Sequence, residues 1–364
     1  MKIYEFKNLL RQVRGLIFTS RRMVGHSVNT IQVMTNFRIG QVIIEHEQKG
    51  KERADYGKKG MGKLSRNLTK EFGKGFSRSN LEYMRRFFLD YRDLTLVISQ
   101  TVSGKSLTKT LISQTPSGEL SKHDHKQMKI SPLFSLSWSH YVFLMGIEEK
   151  AERKFYEIEA TEQNWGVREL KRQYDSSLYE RLALSRNKKK VMELTQKGHI
   201  IDSPSDLIKQ PLVLEFLGLD EQTKYVESDL ESAIINKLEH FLLELGKGFL
   251  FEARQKRFTI DGDHFYVDLV FYNRLLRCYV LIDLKIGRLT HQNLGQMQMY
   301  VNYFDRFVKK EDEHPTVGMI LCKRKSDILV KITLPKESNI YASEYRLYLP
   351  SKNELKRKLL EWSR

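Results

Sequence analysis

Residues 267–285, VDLVFYNRLLRCYVLIDLK, constrain the fold most strongly, because they form two apolar runs around a short polar turn. Apolar residues that alternate along a run are typical of β-strands, so this stretch predicts a β-hairpin within a sheet. The residues expected to hold the sheet are Val267, Leu269, Phe271, Val280, Ile282 and Leu284. Three charged residues, Asp268, Asp283 and Lys285, interrupt the apolar pattern and need an explanation of their own.

These three charged side chains are expected to converge. Side chains two positions apart share one face of a strand, so Asp283 and Lys285 point the same way, and antiparallel pairing brings Asp268 beside Asp283. Neighbouring buried carboxylates repel each other and need a cation or water beside them. Mg²⁺, with Mn²⁺ as an alternative, suits this position because it takes oxygen ligands and bridges to phosphate. The competing interpretation is an ion pair at a strand end, because the spacing alone is a loose pattern.

The surrounding segments predict an α/β domain. Its expected elements are a helix at 227–246, strands at 250–259, 264–272 and 277–285, a helix at 291–308, a strand at 316–323, a short helix, a strand at 344–349 and a C-terminal helix. Glu231 stands beside the apolar stripe of the first helix, either as a metal ligand or as an acid favoured by the helix dipole. Gln296 and Tyr300 share one face of the next helix, either over the carboxylates or at a polar helix edge.

Length and charge limit the classes of partner. The chain has 364 residues, which favours two domains, and its 62 Lys and Arg against 45 Asp and Glu give a net charge of +17. This excess favours a polyanion, either nucleic acid or an acidic membrane surface. Cys278 and Cys322 lie in apolar stretches and are expected to be buried thiols in a reducing compartment. Since the sequence has no apolar run long enough to span a membrane, we expect a cytoplasmic protein.

The first half of the chain is expected to be mostly helical. We predict a helical domain over residues 1–205 and an α/β domain over residues 206–364. Within the helical domain, residues 92–130 contain the near-repeat ISQTVSG and ISQTPSG and little apolar surface, so we expect a weakly ordered polar excursion there. The apolar positions predicted to form the inner face of the first long helix are Ile31, Met34, Ile39, Val42 and Ile43.

A helix-turn-helix is predicted at residues 64–88. The residues assigned to its inner face are Leu64, Leu68 and Phe72 in the first helix and Leu81, Met84 and Phe88 in the second, with GKG at 73–75 as the turn. Its outer face is basic, and the candidate nucleic-acid contacts there are Arg66, Lys70, Lys74, Arg78, Asn80, Tyr83 and Arg85. A helical hairpin with a solvated basic face is the alternative interpretation.

Two further groups of residues are weaker candidates. Arg254 and Lys256 precede the hairpin and could clamp nucleic-acid phosphates, although a solvated strand face explains them equally well. His123 and His125 flank an aspartate that could also bind metal, but they fall in the polar excursion with no third ligand at suitable spacing, which favours an exposed loop.

Several long segments carry a family resemblance. They include LSRNLTKEFGKGFSRSNLEYMRRFF, ERKFYEIEATEQNWGVRELKRQYDSSLYERLALS and FYVDLVFYNRLLRCYVLIDLKIGRLTHQNLGQMQMYVNYFD. Over almost its whole length the chain resembles the YhcG-like nucleases of bacteria, a branch of the PD-(D/E)XK phosphodiesterase superfamily. The resemblance implies an N-terminal helical, winged-helix-like DNA-binding domain and a C-terminal restriction-endonuclease-like mixed sheet flanked by helices. It also implies Mg²⁺-dependent cleavage.

The resemblance implies roles for individual residues. Carried over to this sequence, the catalytic residues are Asp268, Asp283, Lys285 and Gln296, the metal ligands are Asp268, Asp283 and Glu231, and Tyr300 completes a QxxxY feature beside the nucleic acid. Relatives more often have Glu where this chain has Asp283, which is one methylene shorter.

The sequence therefore predicts a Mg²⁺-dependent endonuclease that acts on double-stranded or branched DNA in recombination, repair or defence against mobile elements. We expect a homodimer that does not associate with membranes. Two other interpretations stay open. The first is a DNA-binding or regulatory protein whose nuclease-like domain only dimerises, and the second is a nuclease directed at RNA, because the phosphate chemistry is shared.

Overall fold

A computed structural model describes residues 14, 28–47, 54–101, 134–185, 188–219, 225–335 and 337–363. Its contacts divide the chain into two compact parts, an N-terminal unit (residues 1–149) and a C-terminal unit (residues 150–364). The predicted division at residue 205 stays a prediction. The candidate metal pair His123 and His125 lies outside the described residues. In the part of the chain that is described, no helix is both long and apolar enough to cross a membrane.

The described residues of the N-terminal unit form four helices. These are α1 (28–47), α2 (Ala54–Phe72), α3 (Arg78–Thr101) and α4 (Trp138–Leu144). Because α3 continues to Thr101, the first ten residues of the predicted excursion are helical. A winged helix would need strands, and only helices occur among the described residues of this unit.

The inner face of α1 differs in part from the predicted one, although Ile43 is buried as predicted. Ile31 and Val42 are exposed, whereas Val33, Phe37 and Ile44 are buried. The predicted inner faces of the helix-turn-helix are partly wrong. Leu81 and Met84 are buried as predicted, whereas Leu64, Phe72 and Phe88 are not fully buried. Phe87 is buried in place of Phe88. Aromatic rings pack together in the core of this unit, between α1, α3 and α4. They are Phe37, Phe87, Phe134 and Tyr141. The ring centroids of their contacting pairs lie within 6 Å, and those of Phe87 and Phe134 are 5.0 Å apart.

At Gly40, α1 approaches α3 closely. A Cβ atom placed on Gly40 would lie 2.0 Å from the Met84 carbonyl oxygen and 3.1 Å from Phe88 Cβ. We expect Gly40→Ala to destabilise this unit by about 1–3 kcal/mol, because the helices would have to move apart. Hydrogen exchange of the α1 peptides measures the effect. Gly60→Ala in α2 is the matched control, since nothing lies within 4 Å of its Cβ position, and it should stabilise the helix slightly. Equal behaviour of the two variants would contradict the close crossing.

The described residues of the C-terminal unit begin with four helices, α5 to α8, and continue with a six-stranded mixed sheet and five further helices. Its elements are α5 (Lys150–Glu162), α6 (Val167–Asp175), α7 (Leu178–Leu184), α8 (Lys188–Lys197), β1 (Leu212–Val213), α9 (Glu227–Asn236), α10 (Leu238–Leu245), β2 (Phe249–Ile260), β3 (Asp263–Asn273), β4 (Cys278–Arg288), α11 (His291–Phe307), β5 (Val317–Arg324), α12 (Asp327–Thr333), β6 (Ile340–Arg346) and α13 (Lys352–Ser363). The strand order is β1-β6-β5-β4-β3-β2. Strands β2, β3 and β4 pair in an antiparallel manner, and the other pairs are parallel.

This architecture confirms the predicted fold class, a helical N-terminal part and a mixed sheet flanked by helices. The six hairpin residues expected to hold the sheet are all buried, as are both cysteine thiols. They divide between two apolar cores. The α9 core contains Leu230, Ile234 and Ile282, and the α11 core contains Leu281 and Met297. The predicted helix at 227–246 is two helices, α9 and α10, which are separated by a break at residue 237.

Candidate active site

The predicted charged cluster lies where the β3–β4 ladder ends. Backbone pairing runs from Asn273 and Cys278 to Leu269 and Ile282, and the next two residues along, Asp268 and Asp283, are not paired in the ladder. Instead, the backbone N–H of Leu284 donates to Asp268 Oδ2 at 2.8 Å. The side chain of Asp268 therefore takes the place of a backbone acceptor, which fixes its carboxylate beside β4.

Asp283 is a buried carboxylate with one cation beside it. It is only 2% exposed, and Lys285 Nζ lies 2.9 Å from its Oδ2 atom. Apart from this ion pair, Oδ2 is buried without a hydrogen-bond donor among the described residues. Burial raises the pKa of Asp283 to about 7, the charge of Asp268 adds to the rise, and Lys285 opposes it. This oxygen is where an additional cation would be most favourable.

Lys285 is held between two carboxylates. Besides Asp283, it contacts Glu227 Oε2 at 3.3 Å. Burial alone would lower the pKa of Lys285, but Asp283, Glu227 and Asp268 together raise it above its usual value. The ammonium therefore stays charged at neutral pH. Sequence analysis missed Glu227, because an acid in the first turn of a helix is already explained by the helix dipole.

Glu231 is connected to Asp268 through a residue that sequence analysis also missed. Gln255 Nε2 donates to Glu231 Oε2 at 2.5 Å and to Asp268 Oδ1 at 3.0 Å. The other Glu231 oxygen, Oε1, accepts from Arg254 Nε at 2.5 Å. Glu231 is itself only 4% exposed. A neutral amide on an exposed strand gives no sequence signal, which explains the omission.

The donor set suits a hard divalent cation at two carboxylates. Asp268 and Asp283 lie side by side, and the buried Asp283 Oδ2 has an unused acceptor position. Within the described ranges, no three His, Cys, Asp or Glu side chains are gathered closely enough to form a metal cluster, so Glu231 is not brought together with both aspartates. Asp268 and Asp283 are therefore the residues that would hold a divalent metal ion. When bound, such an ion stabilises negative charge that develops on a phosphate.

The predicted pair on α11 forms as expected. Gln296 Nε2 donates to the Tyr300 hydroxyl at 2.5 Å. Burial is the main cause that raises the pKa of Tyr300, and the charges of Asp283 and Asp268 add to the rise. Because only 1% of Tyr300 is exposed, its predicted contact with nucleic acid is not available in this structure. Tyr300 instead packs in the α11 core against the ring of Phe258.

The basic residues predicted to bind nucleic acid differ in their surroundings. Arg254 forms an ion pair with Glu231. Lys256 Nζ lies 3.6 Å from Glu252 Oε1. In the N-terminal unit, Asn80 accepts from Trp138 Nε1 at 2.9 Å, and Arg85 donates to both oxygens of Glu47. These two side chains thus have partners within the unit. The remaining candidates, Arg66, Lys70, Lys74, Arg78 and Tyr83, are exposed.

Comparison with known proteins identifies the family. A curated protein of Escherichia coli (strain K12), described as "Putative nuclease YhcG", is 39% identical over 341 residues, which cover 93% of this chain and 90% of that protein. The chain belongs to the YhcG family. Two family models agree with this assignment: one described as YhcG PDDEXK nuclease domain matches residues 205–360, and one described as DUF1016 N-terminal domain matches residues 12–181. Residues 205–360 therefore form a PDDEXK nuclease domain, as the sequence resemblance implied.

Solved structures give weaker matches. A repair endonuclease from Pyrococcus abyssi aligns with a TM-score of 0.24 and 16% identity over 36% of this chain and 50% of that one. The structure titled EndoMS-dsDNA2 complex aligns with a TM-score of 0.23 and 18% identity over 37% of this chain and 50% of the other. Each match thus spans about half of the solved chain. Scores this low support no conclusion about function.

Proposed function

We propose that this YhcG-family protein is a divalent-metal-dependent DNA endonuclease. The observation that carries the proposal is the convergence of Asp268, Asp283 and Lys285 where the β3–β4 ladder ends. Two neighbouring carboxylates, of which Asp283 is buried, are placed beside a charged ammonium. This set can hold a divalent ion, bind a phosphate through Lys285 and stabilise the charge of phosphodiester hydrolysis.

DNA is proposed as the substrate because of the exposed basic face on α2 and α3. Arg66, Lys70, Lys74 and Arg78 are exposed there, and a net charge of +17 favours a polyanion. Arg78 also lies 2.9 Å from Glu82, an exposed ion pair that phosphates can replace at little cost. The N-terminal unit would therefore supply affinity for DNA, while the PDDEXK domain would supply the chemistry. A role in recombination, repair or defence, and action as a homodimer, remain parts of this proposal.

The direct test is a cleavage assay with the purified full chain. Plasmid, linear, branched and single-stranded DNA, and RNA, are incubated with Mg²⁺, Mn²⁺ or EDTA. We expect DNA to be cut with either metal and not with EDTA. The Asp283→Ala variant, purified in the same way, controls for contaminating nucleases. Cleavage of RNA alone would reassign the substrate, and a wild-type chain that cuts nothing would support the non-catalytic interpretation.

The basic face gives a separate prediction about DNA affinity. We expect the double variant Lys70→Glu/Lys74→Glu to weaken DNA binding and to reduce the slope of log K against log salt by about two, because each lysine that contacts a phosphate contributes about one unit. Fluorescence anisotropy at several salt concentrations measures both quantities. The matched control is Lys197→Glu/Lys331→Glu. It changes the net charge by the same amount at two exposed lysines of the C-terminal unit. If both double variants bind equally, α2 and α3 are not the binding face.

A further inference from the structure

Gln255 has an unusual backbone conformation for a strand residue. Its φ is +47°, in the left-handed region that L-residues with a side chain rarely adopt. Such conformations persist only where their surroundings favour them, and they are concentrated at functional sites. In the β2–β3 ladder, Arg254 pairs with Leu269 and Lys256 with Val267, which leaves Gln255 opposite Asp268 without a backbone pair.

On both strands, the alternation of side chains between the two faces of the sheet is interrupted at this position. On β3, Val270 and Val267 pack in the α11 core, whereas Leu269 packs in the α9 core, although strict alternation would place Val267 with Leu269. On β2, Ala253 and Phe258 both pack against the α11 core despite being an odd number of residues apart. The register is the same before and after the change. The irregularity is therefore shared by the two strands and lies at the rung of Gln255 and Asp268.

The side chain of Gln255 donates both of its amide hydrogens at this position. Both of its neighbours are carboxylates that can only accept, so the amide nitrogen must face them, and each of its two hydrogens has one acceptor. Asp268 is consequently held at Oδ1 by Gln255 and at Oδ2 by the N–H of Leu284. Each oxygen keeps a second lone pair for a metal ion. A neutral donor between two acids fixes both without adding a charge that would compete with a cation.

We propose that Gln255 is a positioning residue of the nuclease site, whose amide orients the Asp268 carboxylate for metal binding and ties it to Glu231. This inference rests on the proposed metal-dependent function. The left-handed backbone turns the amide toward the two acids, and the amide contacts restrict the rotation of Asp268. Gln255 acts through Asp268, so its loss should change metal affinity and turnover without changing the affinity for DNA.

The test uses the full-length Gln255→Gly variant, because glycine adopts a positive φ without strain and so removes only the amide. Mn²⁺ binding is measured by calorimetry in the absence of DNA. We expect the Kd for Mn²⁺ to rise about ten- to a hundredfold, as is found when groups that orient metal ligands are removed. At saturating metal, kcat should fall while KM for DNA is unchanged. Asp261→Gly is the matched control, since Asp261 also has a positive φ, of 50°, but lies in the β2–β3 turn.

The outcomes separate this inference from the proposed function. If the wild type binds Mn²⁺ and cuts DNA but Gln255→Gly matches Asp261→Gly in Kd and kcat, Gln255 has no positioning role and the nuclease proposal stands. If the wild type neither binds Mn²⁺ nor cuts DNA, both fail. Gln255→Asn keeps an amide on a residue that tolerates the left-handed region, so partial recovery of Mn²⁺ affinity relative to glycine supports the role of the amide. A Gln255→Asn variant that binds Mn²⁺ as weakly as an impaired Gln255→Gly variant overturns the role of the amide.

Discussion

Asp283→Asn is expected to lower DNA cleavage by more than about a hundredfold, the upper range for removing a group that only orients a metal ligand. Asn keeps the size of the side chain but lacks the second negative charge that, with Asp268, attracts a cation. The substitution also replaces the carboxylate whose Oδ2 atom lies 2.9 Å from Lys285 Nζ, so Lys285 loses this ionic partner. The measurement is kcat at saturating Mg²⁺ on whichever substrate the wild-type protein cuts.

The same variant should lose activity without losing stability. Because the folded-state pKa of Asp283 is raised from 3.8 to about 7, its charged form opposes folding as the pH rises above 3.8, and this cost is complete above pH 7. Asn removes the buried charge, so at pH 8 we expect a Tm equal to or above that of the wild type. Asp283→Glu, which the D/E motif permits, should keep part of the activity. Full activity of the Asn variant, or its unfolding, would contradict this account of the site.

The residues of the site that sequence analysis found are those that follow a simple period. Asp283 and Lys285 share a strand face, and Asp268 faces them from the next strand, so alternation and pairing were enough to bring them together. The sheet residues around them follow the same rule except Val267, which is buried in the α11 core instead of the α9 core. The assignment to a nuclease family depended on long matched segments rather than on the three charges.

The parts that could not be predicted depend on departures from periodicity or on three-dimensional context. Gln255 reaches Asp268 only because β2 adopts a left-handed residue at that point, which an alternating pattern cannot reveal. Glu227 contacts Lys285 from a helix that is distant in sequence. On α1, Ile31 and Val42 were expected inside because of their apolar character and near-helical spacing, but both are exposed, and Phe37 packs inward against Phe134. The fully buried charged residues Arg181 and Glu244 were also not predicted from the sequence.

A buried ion pair connects the helices at 150–185 to the sheet of the same unit. Arg181 and Glu244 are both fully buried, and their side chains are 2.5 Å apart. Glu244 Oε1 also accepts from the N–H of Val213 at 3.0 Å, and Lys209 donates to the Glu244 carbonyl. Arg181 in turn donates to the Pro211 carbonyl at 3.1 Å. The pair therefore joins α7, α10 and the segment that leads into β1.

Glu244→Gln is expected to destabilise the C-terminal unit by about 3–5 kcal/mol, because the fully buried Arg181 would lose its counter-charge. Arg172 lies 3.5 Å from the other Glu244 oxygen and would lose an ionic partner as well. Hydrogen exchange of β3 and β4 peptides measures the free energy of opening this unit. Glu239→Gln is the matched control, since Glu239 is exposed on the same helix, and it should change the free energy by less than about 0.5 kcal/mol.

The pH dependence of this difference tests the electrostatic explanation. Burial alone would raise the pKa of Glu244, but Arg181, Lys209 and Arg172 together lower it from 4.5 to about 2. A lowered folded-state pKa of an acid contributes stability that is complete above pH 4.5 and is lost as the pH falls toward 2. The destabilisation by Glu244→Gln should therefore be largest at neutral pH and should shrink between pH 4.5 and 2, because the wild type loses its own charge there. A difference that stays constant over this range would mean that the substitution acts through packing, and that the ion pair adds little to the attachment of these helices.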